Sequence, residues 1–152
     1  MTRIFMTIAL CLPVLGCSGG TDRFKQARPK TVSASGTVIY RNQPLADAII
    51  VCFPTVGGDK AVAASAYTNS DGSFNLQAYP PDTGAVPGNY QVTIQKNSET
   101  PPPPSGPNAH DAPPPPKPKP LIPAKYGQIE TSGLTLVIPE TGIGDIKLEL
   151  KD

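Results

Sequence analysis

Few side chains in this sequence could perform acid–base, nucleophilic or metal chemistry, and those few are scattered along the chain. The single histidine, His110, lies in the segment Asn-Ala-His-Asp within a proline-rich stretch. There it lacks the fixed geometry that a general base requires. Zinc needs three or four ligands at fixed spacing, and His110 with Cys52 cannot supply them. We therefore predict no catalytic residue, no metal site and no cofactor. A hydrolase would have to use Asp71, Asp82 or His110.

Residues 69–73 read Asn-Ser-Asp-Gly-Ser, a spacing of oxygen-bearing side chains that is faintly similar to a calcium loop. A full calcium loop needs another acidic ligand five or six residues further on, but residues 76–79 are Leu, Gln, Ala and Tyr. The segment instead predicts a tight hairpin turn, because Asp-Gly readily supplies the positive φ angles that such a turn needs. Asp82 and Asp145 are isolated acids near other turns, and we expect them to be solvated or to cap those turns.

Cys17 is the residue for which the sequence predicts a definite chemical modification. It follows the positively charged Arg3, an apolar stretch over residues 4–15 and the small residue Gly16. This order is typical of a secretion signal, and Val-Leu-Gly-Cys at 14–17 resembles the bacterial lipobox, whose cysteine is acylated and becomes the new N-terminus. We predict a lipoprotein signal peptide over residues 1–16 and lipidation of Cys17. Ordinary secretion with an unmodified Cys17 is the alternative.

Charge and cysteine usage narrow the range of partners. Loss of residues 1–16 removes Arg3, one of 13 Lys and Arg residues, so the mature chain carries 12 basic and 12 acidic side chains and is neutral. No basic patch favours nucleic acid. Cys11 leaves with the signal and Cys17 carries lipid, which leaves Cys52 in an apolar strand as a small buried hydrophobe. Without an intramolecular disulfide, the exported domain depends on its apolar core.

Short apolar segments that alternate with polar residues, separated by turn signals, are typical of an all-β domain. The predicted architecture is an antiparallel, seven-stranded β-sandwich. In the strand at 46–53 almost every residue is apolar, so we expect both of its faces to be buried. The predicted strands are 31–40, 46–53, 60–68, 73–79, 89–96, 133–138 and 143–150, and the inward-facing side chains include Phe74, Leu76, Tyr90, Val92, Ile94, Ile146, Leu148 and Leu150.

Two segments are predicted to lie outside the strands. Residues 17–30 are small, polar and without pattern, which is typical of a flexible tether between the lipid and the first strand. Of 20 prolines, 12 lie between residues 101 and 123, and proline donates no ladder hydrogen bond. We therefore predict a Pro-rich insertion at 98–123, with polyproline II character, that leaves the domain and returns to it. It is either a docking segment or spacer, or a tolerated surface insertion.

Four segments, in order, resemble the carboxypeptidase regulatory-like (transthyretin-like, prealbumin-type) domain found in many bacterial lipoproteins. The resemblance covers residues 31–152 and implies a prealbumin-like sandwich that performs no catalysis. The same fold also hosts a hydroxyisourate hydrolase, whose several histidines and arginine have no counterparts here. Asn42 departs from the family, which usually has Gly in this tight turn, but Asn tolerates the left-handed region next best. The segments are VSASGTVIYRNQPLADAIIVCF at 32–53, YTNSDGSFNL at 67–76, GAVPGNYQVTI at 84–94 and IPAKYGQIETSGLTLVI at 122–138.

These features lead us to expect a non-enzymatic, lipid-anchored β-sandwich lipoprotein of the cell envelope that works as a structural or protein-interaction module. Its predicted partners are the membrane, through the lipid anchor, and envelope proteins or polysaccharide, but not nucleic acid. Ser18 after the cysteine favours the outer membrane. The alternative is a carbohydrate or small-ligand binding module on the cell surface that stacks sugars on a tyrosine-bearing face. Its candidate rings are Tyr67, Tyr79, Tyr90 and Tyr126.

Replacing Cys17 by Ser tests the predicted anchor. Each buried methylene of an acyl chain contributes about 0.8 kcal/mol, and stable anchoring takes more than one chain. The Cys17→Ser chain is therefore expected to leave the membrane fraction or to stay uncleaved. The measurement is cell fractionation combined with mass spectrometry of the N-terminal peptide. Equal recovery of wild type and variant in the water-soluble fraction would rule out the anchor.

Overall fold

Two facing β-sheets contain most of the regular structure in the computed structural model, which describes residues 28–56, 62–99 and 116–152. The all-β architecture predicted from the sequence is confirmed, and each predicted strand overlaps an observed one. Cys17, His110, the predicted signal peptide at 1–16 and most of the predicted tether lie outside the described residues. The strands are β1 (Ala34–Tyr40), β2 (Gln43–Pro44), β3 (Ile49–Pro54), β4 (Ala64–Tyr67), β5 (Ser73–Asn75), β6 (Gly88–Gln95), β7 (Leu134–Ile138) and β8 (Ile143–Leu150). A 3₁₀ helix (Ala124–Gly127) and a one-turn α-helix, α1 (Ile129–Ser132), precede β7.

Sheet I contains β2, β1, β5 and β8, and sheet II contains β4, β3, β6 and β7 in that order. Sheet II is antiparallel throughout. In sheet I, however, β8 pairs with β1 in parallel, so the prediction of a purely antiparallel sandwich is wrong at this pair. The direction of β8 follows from the position at which the chain passes from sheet II to sheet I. The turn at 139–142 ends beside Ser33, whose carbonyl accepts a hydrogen bond from the Ile143 N–H at 2.9 Å. Strand β8 therefore starts where β1 starts and runs in the same direction.

The short strand β2, which was not predicted, forms a two-residue hairpin with the end of β1. Tyr40 pairs with Gln43, and the two residues between them, Arg41 and Asn42, have φ angles of 51° and 61°. Positive φ at both central residues is the requirement of a type I′ turn, so Asn42 takes the left-handed conformation expected of it. The Arg41 side chain is paired with Asp152, whose carboxylate accepts a hydrogen bond from Nε at 3.0 Å and lies 2.9 Å from Nη2.

Strand β3 begins three residues later than the predicted start at residue 46. Asp47 has a φ of 52°, and the Ala48 N–H donates a hydrogen bond to the Thr68 hydroxyl at 2.8 Å. The chain is therefore kinked before Ile49 and becomes extended only from that residue. An apolar sequence alone does not reveal this kink, because it depends on a threonine 20 residues away.

The turn at 69–72 is present, but it does not join two neighbouring strands as a simple hairpin would. The Gly72 N–H donates to the Asn69 carbonyl at 2.9 Å, and the Gly72 carbonyl accepts from the Val38 N–H of β1 at 2.9 Å. This second bond draws β5 into sheet I, whereas β4 belongs to sheet II. The predicted hairpin is thus a crossing between the two sheets, with a single β-bridge between Ser65 and Gln77 joining the segments on its two sides.

The core lies between the two sheets, and every strand except the short, exposed β2 contributes one face to it. In β3, Ile50 and Cys52 are fully buried while Ile49 is 39% exposed. The expectation that both faces of this strand are buried is therefore wrong, because Ile49 lies on the outer face of sheet II. The inward-facing residues predicted from alternation are confirmed as buried, namely Phe74, Leu76, Tyr90, Val92, Ile94, Ile146, Leu148 and Leu150.

Strands β1 and β8 approach each other closely at Gly36. A Cβ atom placed on this residue would overlap the Ile146 carbonyl oxygen and lie 2.6 Å from the Ile146 Cβ. At Gly144 in β8, by contrast, an added Cβ would meet only the Ser35 Oγ, at an ordinary contact distance of 3.9 Å. The pairing of β1 with β8 therefore requires glycine at position 36 but not at position 144.

Alanine substitutions at these two glycines test this requirement. Gly36→Ala forces the backbones of β1 and β8 apart, and because overpacking that shifts side chains and backbone costs about 1–3 kcal/mol and occasionally more, we expect a loss of about 3 kcal/mol here. The matched control, Gly144→Ala, is expected to change stability by less than about 1 kcal/mol. Urea unfolding followed by circular dichroism measures both. Equal effects of the two substitutions would contradict the close approach.

Candidate interaction surface

Cys52, the one cysteine among the described residues, is a core side chain of β3. It is fully buried, and burial raises the pKa of its thiol from 9.0 to about 12. A nucleophilic cysteine must be a thiolate that a substrate can reach. The thiol therefore contributes packing, as the sequence predicted, and not chemistry.

Asp71 is used to hold the turn at 69–72. Its Oδ1 accepts a hydrogen bond from the Ser73 N–H at 2.9 Å, and the hydrogen bonds from Ser73 lower the pKa of the carboxyl group. Asn69 Nδ2 donates to Ser73 Oγ at 2.9 Å, so the polar side chains of this turn bond to one another. Within the ranges that the structure covers, no group of three or more His, Cys, Asp and Glu residues is arranged to hold a metal ion.

The remaining acidic candidates lie in other parts of the fold. Asp82 is in the loop between β5 and β6, with its carboxylate 4.0 Å from the Arg28 guanidinium. Asp145 is exposed in β8. The structure therefore does not bring Asp71, Asp82 and Asp145 together at one place.

The four tyrosines proposed as a sugar-stacking face occupy different environments. Tyr90 and Tyr126 are in the core, with 2% and 5% of their surface exposed. Tyr79 lies beneath the Arg28 guanidinium, 4.8 Å from its ring centre. Tyr67 is 73% exposed, on the outer face of sheet II. The four rings do not form a common face, and Tyr67 is the one that presents most of its surface.

The hydroxyl of Tyr126 has a structural partner at the end of the last strand. It donates a hydrogen bond to the Lys151 carbonyl at 2.9 Å and accepts one from the Lys151 N–H at 2.7 Å. The 3₁₀ helix that carries Tyr126 is thereby attached to sheet I as well as to sheet II, where Gln95 Nε2 donates to the Gly127 carbonyl at 3.3 Å.

The chain enters the sandwich at one end, which we call the tether end. Val32 and Ala85 exchange two backbone hydrogen bonds of 2.9 Å there, and Arg28 contacts Tyr79 and Asp82. The last residues of the predicted tether are therefore bound to the domain. Ala85 is three residues before Gly88, the start of β6. Eight residues of extended chain cover about 25 Å, so β6 carries the chain from the tether end to the opposite end of the sandwich.

At that opposite end the Pro-rich insertion leaves and rejoins the domain through a paired segment, which we call the neck (residues 96–98 and 119–121). The Ser98 N–H donates to the Lys119 carbonyl, and the Leu121 N–H donates to the Lys96 carbonyl, both at 2.8 Å. Pro120 lies between the Lys119 carbonyl, which accepts, and the Leu121 N–H, which donates, so its missing N–H is not needed. The insertion predicted at 98–123 is therefore shorter than expected, because its last five residues are already part of the domain.

A groove of about 210 Å³ lies beside the neck, between the end of β6 and the 3₁₀ helix. Its lining is partly apolar, from Ile94, Pro120, Ile122 and Pro123, with polar groups from Gln95 and Gln128. Lys96 also lines the groove, and such a mixed lining can bind a partner's side chain.

The outer face of sheet II carries further exposed apolar side chains. Tyr67 of β4 lies opposite Ile49 of β3, and Val137 of β7 is 63% exposed on the same side of the sheet. Between them, Val51 and Phe53 of β3 are half-buried. Exposed apolar residues that share one face are typical of interaction surfaces.

The described residues contain no helix that is both long and apolar enough to cross a membrane. Comparisons of the chain with family models, with curated proteins and with solved structures gave no match. The resemblance to the carboxypeptidase regulatory-like domain accordingly stays a prediction.

Sequence reasoning missed the neck and the two-sided attachment of Tyr126. The pairing at the neck had a local signal in the sequence. The N–H groups of Lys119 and Leu121, on either side of Pro120, can both donate hydrogen bonds to a neighbouring strand. The Tyr126 contact had none, because the hydroxyl bonds to main-chain atoms 25 residues away.

The pH dependence of stability tests the burial of Cys52. Because the folded thiol has a pKa of about 12 and the ordinary value is 9.0, the folded state keeps a proton that the unfolded state releases between these pH values. The protein is therefore expected to lose stability between pH 9 and 12 more steeply than Cys52→Ala does. Urea unfolding across this range measures the two slopes. Parallel slopes for the two proteins would contradict a buried, protonated thiol.

Proposed function

We propose that this chain is a non-enzymatic β-sandwich lipoprotein of the cell envelope, attached to a membrane by lipid on Cys17, that works as a structural or protein-interaction module. The observation that carries the interaction role is the placement of the tether end and the neck at opposite ends of β6. A partner can therefore approach the neck and its groove from the end of the sandwich opposite the tether.

The reach of the tether is consistent with this arrangement. Eleven peptide bonds join Cys17 to Arg28, so the link spans at most about 40 Å. From Arg28 onward the chain is bound to the domain through Tyr79 and Asp82. The tether therefore joins the sandwich at one defined end, which is the end opposite the neck.

The structural roles of the side chains that could react support a binding function over a catalytic one. Cys52 is protonated in the core, Asp71 closes a turn, and Asp82 lies beside Arg28. General acid–base or nucleophilic catalysis needs such groups to converge on one substrate position. The prealbumin-type, carboxypeptidase regulatory-like assignment agrees with this, because the resemblance implies a module without catalysis.

The carbohydrate-binding alternative has weaker support. Sugar stacking favours several exposed rings on one surface, and of the four tyrosines only Tyr67 exposes most of its ring. We therefore favour a protein partner at the neck end.

Position-specific crosslinking in intact cells tests this function. A photo-crosslinking amino acid at Leu121, which is 51% exposed in the neck, is expected to capture an envelope protein, because the neck is free of the tether. The matched control places the same amino acid at Glu140, an exposed residue in the turn after β7 at the tether end, where no such product is expected.

The same crosslinking in a Cys17→Ser background separates the anchor from the surface. Loss of the Leu121 product there indicates that the partner is met only at the membrane. Capture at Glu140 alone, or at neither position, would contradict a neck-end interaction.

A further inference from the structure

Strand β8 forms one edge of sheet I. Among the described residues it pairs with no strand other than β1, and eight residues, Ile143–Leu150, form that edge. A strand of this length with unpaired backbone groups is a template for another strand unless its side chains prevent pairing.

The direction of the backbone groups along this edge follows from the register of β1. Val38 of β1 turns its N–H and C=O away from β8, toward Gly72 and Leu45. In a parallel ladder, the partner of such a residue points toward the neighbouring strand. Leu148, the partner of Val38, therefore faces β1, and the N–H and C=O groups of Lys147 and Glu149 face the open edge.

The side chains of β8 are ordered in a way that matches a second copy of the same strand. The exposed positions carry alternating charges, Asp145, Lys147, Glu149 and Lys151, while the positions between them are apolar and buried. A two-fold rotation about an axis through Leu148, perpendicular to the sheet, generates the second copy of the strand. Lys147 of one copy then lies opposite Glu149 of the other, and Asp145 lies opposite Lys151. Every acidic residue is then opposite a basic one.

We propose that two copies of this protein associate by antiparallel pairing of β8 with β8, centred on Leu148, so that one eight-stranded sheet runs through the dimer. Lys147 of one copy lies opposite Glu149 of the other, and Asp145 lies opposite Lys151. Cross-strand pairs of opposite charge stabilise such a ladder, and like charges oppose it.

The charges also select this register over its neighbours. A shift of two residues in one direction places Lys147 opposite Lys147 and Asp145 opposite Glu149. A shift of two in the other direction places Glu149 opposite Glu149 and Lys147 opposite Lys151. A shift of one residue would bring the buried face of one strand against the exposed face of the other. The order of charges therefore favours one isologous interface.

Tyr126 limits the length of the intermolecular ladder. Its hydroxyl already occupies the N–H and C=O of Lys151, so the bonds between the copies come from Lys147 and Glu149. Two such pairs exchange four hydrogen bonds. The register of β8 against β1 is irregular between Ile143 and Ile146, so the regular part of the open edge is the part that contains Lys147 and Glu149.

The dimer is compatible with lipid attachment of both copies. Antiparallel pairing places the two tether ends at opposite ends of the joined sheet. With the strands lying along a bilayer, two tethers that each reach at most about 40 Å can both insert in the same membrane.

Charge reversal tests the pairing directly. Sedimentation velocity of the purified full-length protein in mild detergent is expected to show a dimer. Lys147→Glu places Glu opposite Glu149 twice per dimer, and Glu149→Lys places Lys opposite Lys147 twice, so each is expected to raise the dissociation constant at least about tenfold. The double variant Lys147→Glu/Glu149→Lys restores opposite charges and is expected to restore the dimer. Glu130→Lys, an exposed reversal in α1, is the matched control and should leave it unchanged.

Disulfide trapping tests the register independently of charge. Two differently tagged full-length chains, one with Lys147→Cys and the other with Glu149→Cys, are expected to form a mixed disulfide when oxidised together, and each alone should form less. A monomeric wild type, unchanged dimers in both single reversals, or failure of the double variant to recover the dimer would overturn the proposal. Since the neck-end interaction is measured by crosslinking at Leu121, failure of either proposal is distinguishable from failure of the other.

Discussion

The close approach of β8 to β1 at Gly36 is the contact on which sheet I depends. Strand β1 is central in this sheet, with β8 on one side and β5 and β2 on the other. Successive residues of a strand point their backbone hydrogen-bonding groups to opposite sides. Strand β1 can therefore pair with β8 on one side and with β5 and β2 on the other only while its backbone stays regular and close to β8. A side chain at position 36 would occupy the space of the Ile146 carbonyl. The first and last strands of the domain are therefore joined through a residue that has no side chain.

This pairing also explains why the tether end and the neck lie at opposite ends of the sandwich. Since β8 starts beside β1, the turn at 139–142 and the tether share one end. Strand β6 then carries the chain to the other end, where the neck closes the Pro-rich insertion by backbone hydrogen bonds of 2.8 Å. The separation of the tether end from the neck is thus a consequence of strand direction, and it is the basis of the function that we propose.

The side chains that could react are mostly engaged in holding the fold. Cys52 fills the core, Asp71 closes a turn, and Asp152 holds Tyr40 and Arg41, which lowers the pKa of its own carboxyl group. What the domain offers to partners is the groove at the neck, the outer face of sheet II and the edge of β8. These surfaces present shape, apolar contact and an ordered set of charges, which are the properties that the proposed interaction module would use.

The sequence by itself determined the local features of this protein. Alternation predicted the positions of the strands and which side chains of β6 and β8 face inward, and turn chemistry placed positive φ angles at Asn42 and Gly72, because these properties depend on neighbours within a few residues. Only the tertiary structure decided which strands share a sheet, that β8 runs parallel to β1, and that Tyr126 bonds to Lys151. Those features rest on backbone groups far apart in the chain, and any strand of suitable pattern can satisfy a backbone donor, so local pattern does not identify the partner.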